Sequence, residues 1–275
     1  MDTINIFDKN FMPYSESSTL GKAPREFEYV KGKTNFDGIT IFTDHMFGLA
    51  SKVQSKYKIA WQVESPVHSQ KQFYPMIRNY HHLFDMIFTY DENLIAKDPH
   101  LFKRCNFGGT TVLEPDLRLN EKDKKVAVVH SGKRDTANHL LRELVAKSGR
   151  VDAFGRMTGK SFDNIVDVYA PYNFAVIIEN MDCDNYFSEK LTDCIACGCI
   201  PIYRGCTNIG QYFDERGMIK VHTMDDLHEI LPTLTDELYD SMIKPHSANL
   251  NTVLNKYYTN EDWLYLNYMK GLIDG

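Results

Sequence analysis

The 275-residue sequence contains no apolar run approaching the ~20 residues that a membrane-spanning helix requires. Its opening residues, MDTINIFDKNF, begin with an acid and lack the basic and apolar regions of a secretory leader. The chain as it stands therefore reads as cytoplasmic. An excess of positive charge is also missing. Lys plus Arg number 31 against 37 Asp plus Glu, a net charge of −6, which argues against a general nucleic-acid or anionic-membrane binder. There is no internal repeat and no low-complexity segment. Cysteine is limited to six residues, and disulfides are not expected in a reducing compartment. Cys194, Cys197 and Cys199 lie close together, as in zinc or redox sites. Cys194 and Cys197 fall within a helix pattern and Cys199 starts a strand pattern, so buried thiols packing as small hydrophobes are the expectation. No clear metal triad or Asp-x-Asp motif stands in a suitable position. Asp182 and Asp184, one residue apart in MDCDN, are read as part of a loop.

What is present is an ordinary globular composition, 43% apolar and 25% charged, in a chain longer than one core usually holds. The second half alternates between strand and helix patterns. VAVVH (Val126–His130) is a short β-branched run, and Ala137, Leu140, Leu141, Leu144 and Val145 then recur at helical spacing, predicting one apolar helix face. RVDAFG, a polar stretch with helix potential, NFAVIIE, a second helix, CIPIY and MIKV follow. Such alternation implies βαβ units and a parallel sheet, with ligands at the carboxyl ends of its strands. In the less regular first half, GITIFTD, KIAWQVES and FDMIFTYD are candidate strands of another α/β domain. RLNEKDKK (Arg118–Lys125), charged and nearly without apolar residues, is the linker candidate. It divides the chain into 1–120 and 121–275, with the last helix, capped by Thr259, free to pack back on the first domain.

The stretch CDNYFSEKLTDCIACGCIPIYRG (Cys183–Gly205) carries the most chemistry. Ser188 is a suitable N-cap, Leu191, Cys194 and Ile195 define a buried helix face, and Gly198 is a suitable stop. The helix starts just beyond the carboxyl end of the AVIIEN strand, where unpaired N–H groups and a partial positive charge suit a phosphate. A cation in the first turn, Lys190, opposes the helix dipole, and a bound diphosphate would reverse that penalty. Glu189 suits the dipole and ribose hydroxyls. A solvated surface pair beside an ordinary cap is the competing account.

The stretch YNFAVIIENMDCDNYFSEKLTDCIACGCIPIYRG (Tyr172–Gly205) resembles the donor-binding signature of the alpha-1,3/4-fucosyltransferases. VDAFGR (Val151–Arg156) resembles that family's shorter upstream block, and WQVESPVHSQ with LFDMIFTYDEN resembles its Glu-Ser-Pro-x-His segment and continuation. The resemblance spans roughly Trp61 to Val221. It implies the GT-B type of α/β fold, two Rossmann-like domains facing a central cleft. The implied activity is inverting transfer of L-fucose from GDP-fucose to a hydroxyl of a glycan acceptor, in alpha-1,3-type linkage. No metal or other cofactor is implied, and no nucleic acid.

By the same resemblance, Lys190 meets the donor diphosphate, Glu189 the ribose, and Tyr186 lies near the donor. Glu179 and Asn180 belong near the fucose ring, Ser131 follows the VVH strand, and Arg156 joins the donor side. The family's diphosphate arginine has no direct match: Ala137 occupies the best-aligned position, so Arg134, or alternatively Lys133, is expected to supply that charge. Glu64 is the expected general base, with His68 orienting it or touching the acceptor. Two alternatives stay open, a transferase using another nucleotide sugar and a catalytically weak glycan-binding GT-B protein. The lack of an anchor and stem suggests a bacterial, viral or trimmed protein acting in the cytoplasm.

Overall fold

The structure, a computed structural model, describes residues 1–11, 15–71, 73–105 and 108–274. The chain forms two compact units. The first comprises Met1–Gly109, Asp184–Tyr186 and Tyr258–Gly275, the second Thr110–Cys183 and Phe187–Tyr257. Against the single boundary expected at 120/121, the chain passes between units at 109/110, 183/184, 186/187 and 257/258.

In the first unit, strands β1 (Asp2–Phe7), β2 (Phe27–Lys31), β3 (Asn35–Thr43), β4 (Gln54–Trp61), β5 (Met86–Thr89) and β6 (Phe102–Arg104) form a parallel sheet in the order β2-β1-β3-β4-β5-β6. Helices α1 (Pro66–Ser69), α2 (Phe73–Tyr80) and α3 (Glu92–Lys97) lie between its later strands in the chain. Side chains alternate across a strand. Ile39 and Ile41 of β3 accordingly join Ile59 and Trp61 of β4 in one core, while Phe42 and Ala60 join a core on the opposite face. Burial on both faces is what a parallel sheet requires.

In the second unit, β7 (Lys124–Val129), β8 (Asp152–Phe154), β9 (Tyr172–Ile178), β10 (Ile200–Arg204) and β11 (Ile219–Lys220) form a parallel sheet in the order β11-β10-β9-β7-β8. Helices α4 (Ala137–Lys147), α5 (Ile165–Tyr169), α6 (Glu189–Ala196), α7 (Met224–Ile230) and α8 (Asp236–Lys256) connect and cover it. Every residue of β9 is buried, in keeping with the unbroken apolar run from Phe174 to Ile178. The chain passes from β7 to β8 on one side and then to β9 on the other. This reversal leaves a crevice at the carboxyl ends of β7 and β9, where ligands of such sheets bind.

Two expectations are corrected here. The predicted apolar face of α4 is not the buried one: Leu140 and Leu144 are exposed, and the inner face carries Leu141 and Val145 together with Asn138, His139, Arg142 and Glu143. Nor is Arg118–Lys125 a free tether. Arg118 N donates to Ala196 O at 3.1 Å, Asn120 Nδ2 to Cys197 O at 3.1 Å, and Lys122 Nζ to Ala170 O and Cys197 O at 2.8 Å each. Its polar groups thus satisfy carbonyls left unpaired at the carboxyl ends of α5 and α6.

The α6 boundaries follow the sequence signals. Ser188 caps its start, Cys197 follows its last turn, and Gly198 takes φ +70°. A Cβ at Gly198 would lie 2.8 Å from Leu119 Cα, so glycine is needed for close approach as well as for the backbone angle. Cys194, Cys197 and Cys199 are all buried, with Cys194 Sγ donating to Cys199 O.

The C-terminal segment begins at the Thr259 cap, whose hydroxyl accepts from Asp262 N at 3.1 Å. It runs through α9 (Asn260–Leu264), a π-helical turn at Tyr265–Met269 and α10 (Lys270–Asp274). Leu264, Tyr265 and Met269 belong to the first unit's core. Among the described residues, no helix is long and apolar enough to cross a membrane.

Candidate active site

At the end of β9 the fully buried Glu179 carboxylate accepts from Ser188 N at 2.8 Å and from Ser188 Oγ at 2.7 Å. A hydroxyl has one proton and two acceptor positions. Having given its proton to Glu179, Ser188 Oγ accepts from Lys190 N at 3.5 Å and from Lys190 Nζ at 2.9 Å. Lys190 Nζ also lies 3.2 Å from Glu189 Oε1 and 3.7 Å from Glu179 Oε2. Burial pushes the Lys190 ammonium down, but Glu189 and Glu179 outweigh it and hold the group above the ordinary lysine value. Burial likewise pushes Glu189 up, and Lys190 reverses the sign. A cation in a first turn is thus tolerated by two flanking carboxylates, and it stays charged.

A cavity of about 320 Å³ opens here, lined by Ser131 and Lys133 beyond β7, Asn180 beyond β9, and Glu189, Lys190 and Asp193 of α6. Arg142 of α4 and the apolar Phe162, Ile165 and Tyr169 complete much of its lining. All lie in the second unit. Asp193 is raised to about 6 by burial, partly offset by three donors: Thr110 Oγ1 at 2.8 Å, Thr111 N at 2.7 Å and Thr111 Oγ1 at 2.6 Å. Arg142 is buried and donates to Ile178 O.

Five of the expected donor-side residues, Ser131, Lys133, Asn180, Glu189 and Lys190, therefore meet around one opening. Glu179 supports it from behind through Ser188. The others lie elsewhere. Arg134 is held by Glu143 through Nε at 2.6 Å and through Nη2, and Arg156 is exposed in the turn after β8. Asp182, read from the sequence only as part of a loop, is engaged by Arg204, with Nη2 at 2.9 Å, and by Asn138 Nδ2 at 2.7 Å. Tyr186 belongs to the first unit, where its ring meets Tyr90 edge-on at 5.2 Å. Sequence reasoning missed Arg142, because it sits inside a repeat that reads as an apolar helix face.

In the first unit Glu64 follows β4 on a backbone fixed from both sides. Its N–H donates to Asp44 Oδ2 at 3.0 Å, and its carbonyl accepts from Ser69 Oγ and from Tyr90 OH, each at 3.1 Å. Among the described residues, no hydrogen bond or ion pair holds its carboxylate. A rigid backbone carrying an uncommitted carboxylate suits proton transfer. Asp44 is raised to about 7, chiefly by burial and then by the Glu64 charge, against the N–H donors of Glu64 and Val63. His68 lies half-buried on α1.

Residues 119–241 match the family model described as glycosyltransferase family 10 (fucosyltransferase), C-terminal part. No curated protein sequence matches the chain. Among solved structures, the chain is similar to an alpha1,3-fucosyltransferase crystallised with GDP, at 15% identity and a TM-score of 0.56, over 94% of this chain and 92% of that one. It is similar to an alpha1,3-fucosyltransferase with GDP-fucose at 13% identity and a TM-score of 0.56, with the same coverage. The GtfA/B complex aligns at 12% identity and a TM-score of 0.52, over 87% of this chain and 58% of that one. Likeness at such identities speaks to the fold, which is α/β of the GT-B type with two Rossmann-like units. The segment similar to glycosyltransferase family 10, the fucosyltransferases, is residues 119–241, and it contains every residue that lines the cavity.

Proposed function

We propose that the chain transfers L-fucose from GDP-fucose to a hydroxyl of a glycan acceptor, with inversion at the sugar carbon and an alpha-1,3-type linkage. The observation that carries this reading is the cavity at the β7/β9 reversal, where Lys190, Arg142 and Lys133 line one opening inside the family-matching segment. Three cations beside a helix N-terminus fit the charge of a diphosphate. Glu189 would then accept from ribose hydroxyls, Asn180 would face the sugar, and Ser131 would add a polar contact. Tyr186 and Arg156 remain donor-side assignments carried over from the family motif. Arg134 would reach the donor only by leaving Glu143, which makes Arg142 the better second cation.

In the proposed step the acceptor oxygen attacks the fucose anomeric carbon while Glu64 takes its proton. The bond from that carbon to the β-phosphate oxygen breaks, and GDP leaves with the electron pair. Preorganised cations facing the departing oxygen typically lower such a barrier by roughly 3 kcal/mol each. His68 would orient the acceptor or the Glu64 carboxylate. Because the charge on GDP is met by groups of the chain, turnover is expected to persist in EDTA.

Incubation with GDP-fucose and a panel of glycans tests the proposal through GDP release. Absence of both GDP release and donor binding would defeat it. Thermal shift across nucleotide sugars separates fucose from other donors, since a ligand that binds only the folded chain raises its melting temperature.

A further inference from the structure

The inner face of α4 carries polar side chains where a helix on a parallel sheet ordinarily packs apolar ones. Asn138, His139 and Arg142 are 4%, 2% and 4% exposed, whereas Leu140 and Leu144 are 48% and 57% exposed. Burying polar groups is costly unless each finds a partner. All three find theirs at the carboxyl end of β9. Asn138 Nδ2 donates to Asp182 Oδ1 at 2.7 Å, and Arg142 Nη2 donates to Ile178 O and reaches Asn180 Oδ1 at 3.5 Å. His139 Nε2 lies 3.0 Å from that same Asn180 oxygen. An inversion of the usual polarity pattern is expected where a fold gives up packing for a site.

The atoms fix one another's roles. A guanidinium has donors only, so the Asn180 atom turned toward Arg142 is the carbonyl oxygen. His139 Nε2 must then donate, and Nδ1, buried without a hydrogen-bond partner, keeps its lone pair. Burial, with Arg142 adding to it, holds the imidazole below its ordinary value and therefore neutral, against the Asn180 bond and Asp135. With its oxygen committed to α4, Asn180 has only its NH2 group left for the cavity it lines.

We propose that His139 is a positioning residue that turns the Asn180 amide, so that its NH2 group donates to an oxygen of the bound nucleotide sugar. The inference rests on the GDP-fucose reading above. The oxygen belongs either to the sugar or to the diphosphate, and two ligands distinguish these sources.

Dissociation constants for GDP and GDP-fucose are measured by calorimetry on the wild-type protein and on His139→Leu, His139→Gln and Asn180→Asp. His139→Leu should weaken GDP-fucose binding about tenfold, the scale of one hydrogen bond. Glutamine, whose side-chain N–H overlays the imidazole Nε2, should restore it. Asn180→Asp keeps the oxygen for His139 but points a second oxygen at the ligand, so it should weaken binding further. Equal losses for GDP and GDP-fucose place the contact on the diphosphate, and a loss confined to GDP-fucose places it on the sugar. Either pattern supports the inference. A folded His139→Leu protein with wild-type affinity for both ligands overturns it. If His139→Leu fails to fold, unaltered binding by Asn180→Asp overturns it instead. Absence of binding by the wild-type protein overturns the donor reading as well, and that result is visible without any variant.

Discussion

Glu179 grips Ser188 at two points, its backbone N–H and its hydroxyl, at 2.8 and 2.7 Å. The end of β9 is thereby tied to the first turn of α6, and Lys190 is held through the same hydroxyl at 2.9 Å. Glu179→Gln offers one acceptor in place of two and leaves a buried donor unmet. An unfolding free energy lower by about 1–3 kcal/mol is expected in urea titration, together with weaker GDP binding. An unchanged midpoint with unchanged binding would show that the grip does not set the cap.

Glu64→Gln keeps the shape and the backbone contacts to Asp44, Ser69 and Tyr90 while removing the proton acceptor. Turnover should fall by roughly 10²–10⁴-fold, the usual contribution of general base catalysis, with the GDP-fucose dissociation constant unchanged. Wild-type turnover in this variant would remove Glu64 from the chemistry.

Arg142→Gln and Arg134→Gln differ in what they take from the cavity. Arg142 lines it, whereas Arg134 faces Glu143. GDP binding should suffer more from the first substitution than from the second, at equal ionic strength. The reverse ranking in a calorimetric comparison would return the diphosphate charge to Arg134.

Glu261 is fully buried and raised to about 7, because burial outweighs its bonds from Ser18 N and Ser18 Oγ. A carboxyl raised in the folded state adds stability below its unfolded value, and that share is lost as pH climbs through the folded value. Asp44 and Asp193 act in the same direction, while His246, lowered to about 4 by burial, acts in the opposite one. Glu261→Gln isolates a single group. Its Tm minus that of the wild type should rise from about pH 5 to about pH 7. A difference independent of pH would contradict the assigned shift, since the lost acceptor adds only a constant offset.

Much of the second unit was legible because its signals are local. The runs VAVVH, NFAVIIE and CIPIY mark β7, β9 and β10, and the Ser188 and Gly198 signals bracket α6. The α4 face was misread because Leu140 and Leu144 match a helical repeat, and period alone cannot say which side meets the sheet. The polar residues between those leucines, Asn138, His139 and Arg142, were the available clue, since their partners on 178–182 are distant in sequence. In the first unit β1 and β2 escaped notice. INIF and FEYVK are short, and each gains its pairing only from strands elsewhere in the chain.

The share of the C-terminal segment in the first unit bears on the order of assembly. Leu264, Tyr265 and Met269 pack with Ile4, Ile6 and Phe27, residues made some 240 to 260 positions earlier. On a ribosome, the earliest strands would stand with one oily side uncovered while the whole middle unit is translated. That unit can collapse as soon as its own sheet has emerged, and the first unit closes after it. Such delayed closure leaves a window for chaperone capture or aggregation, widest when translation is slow.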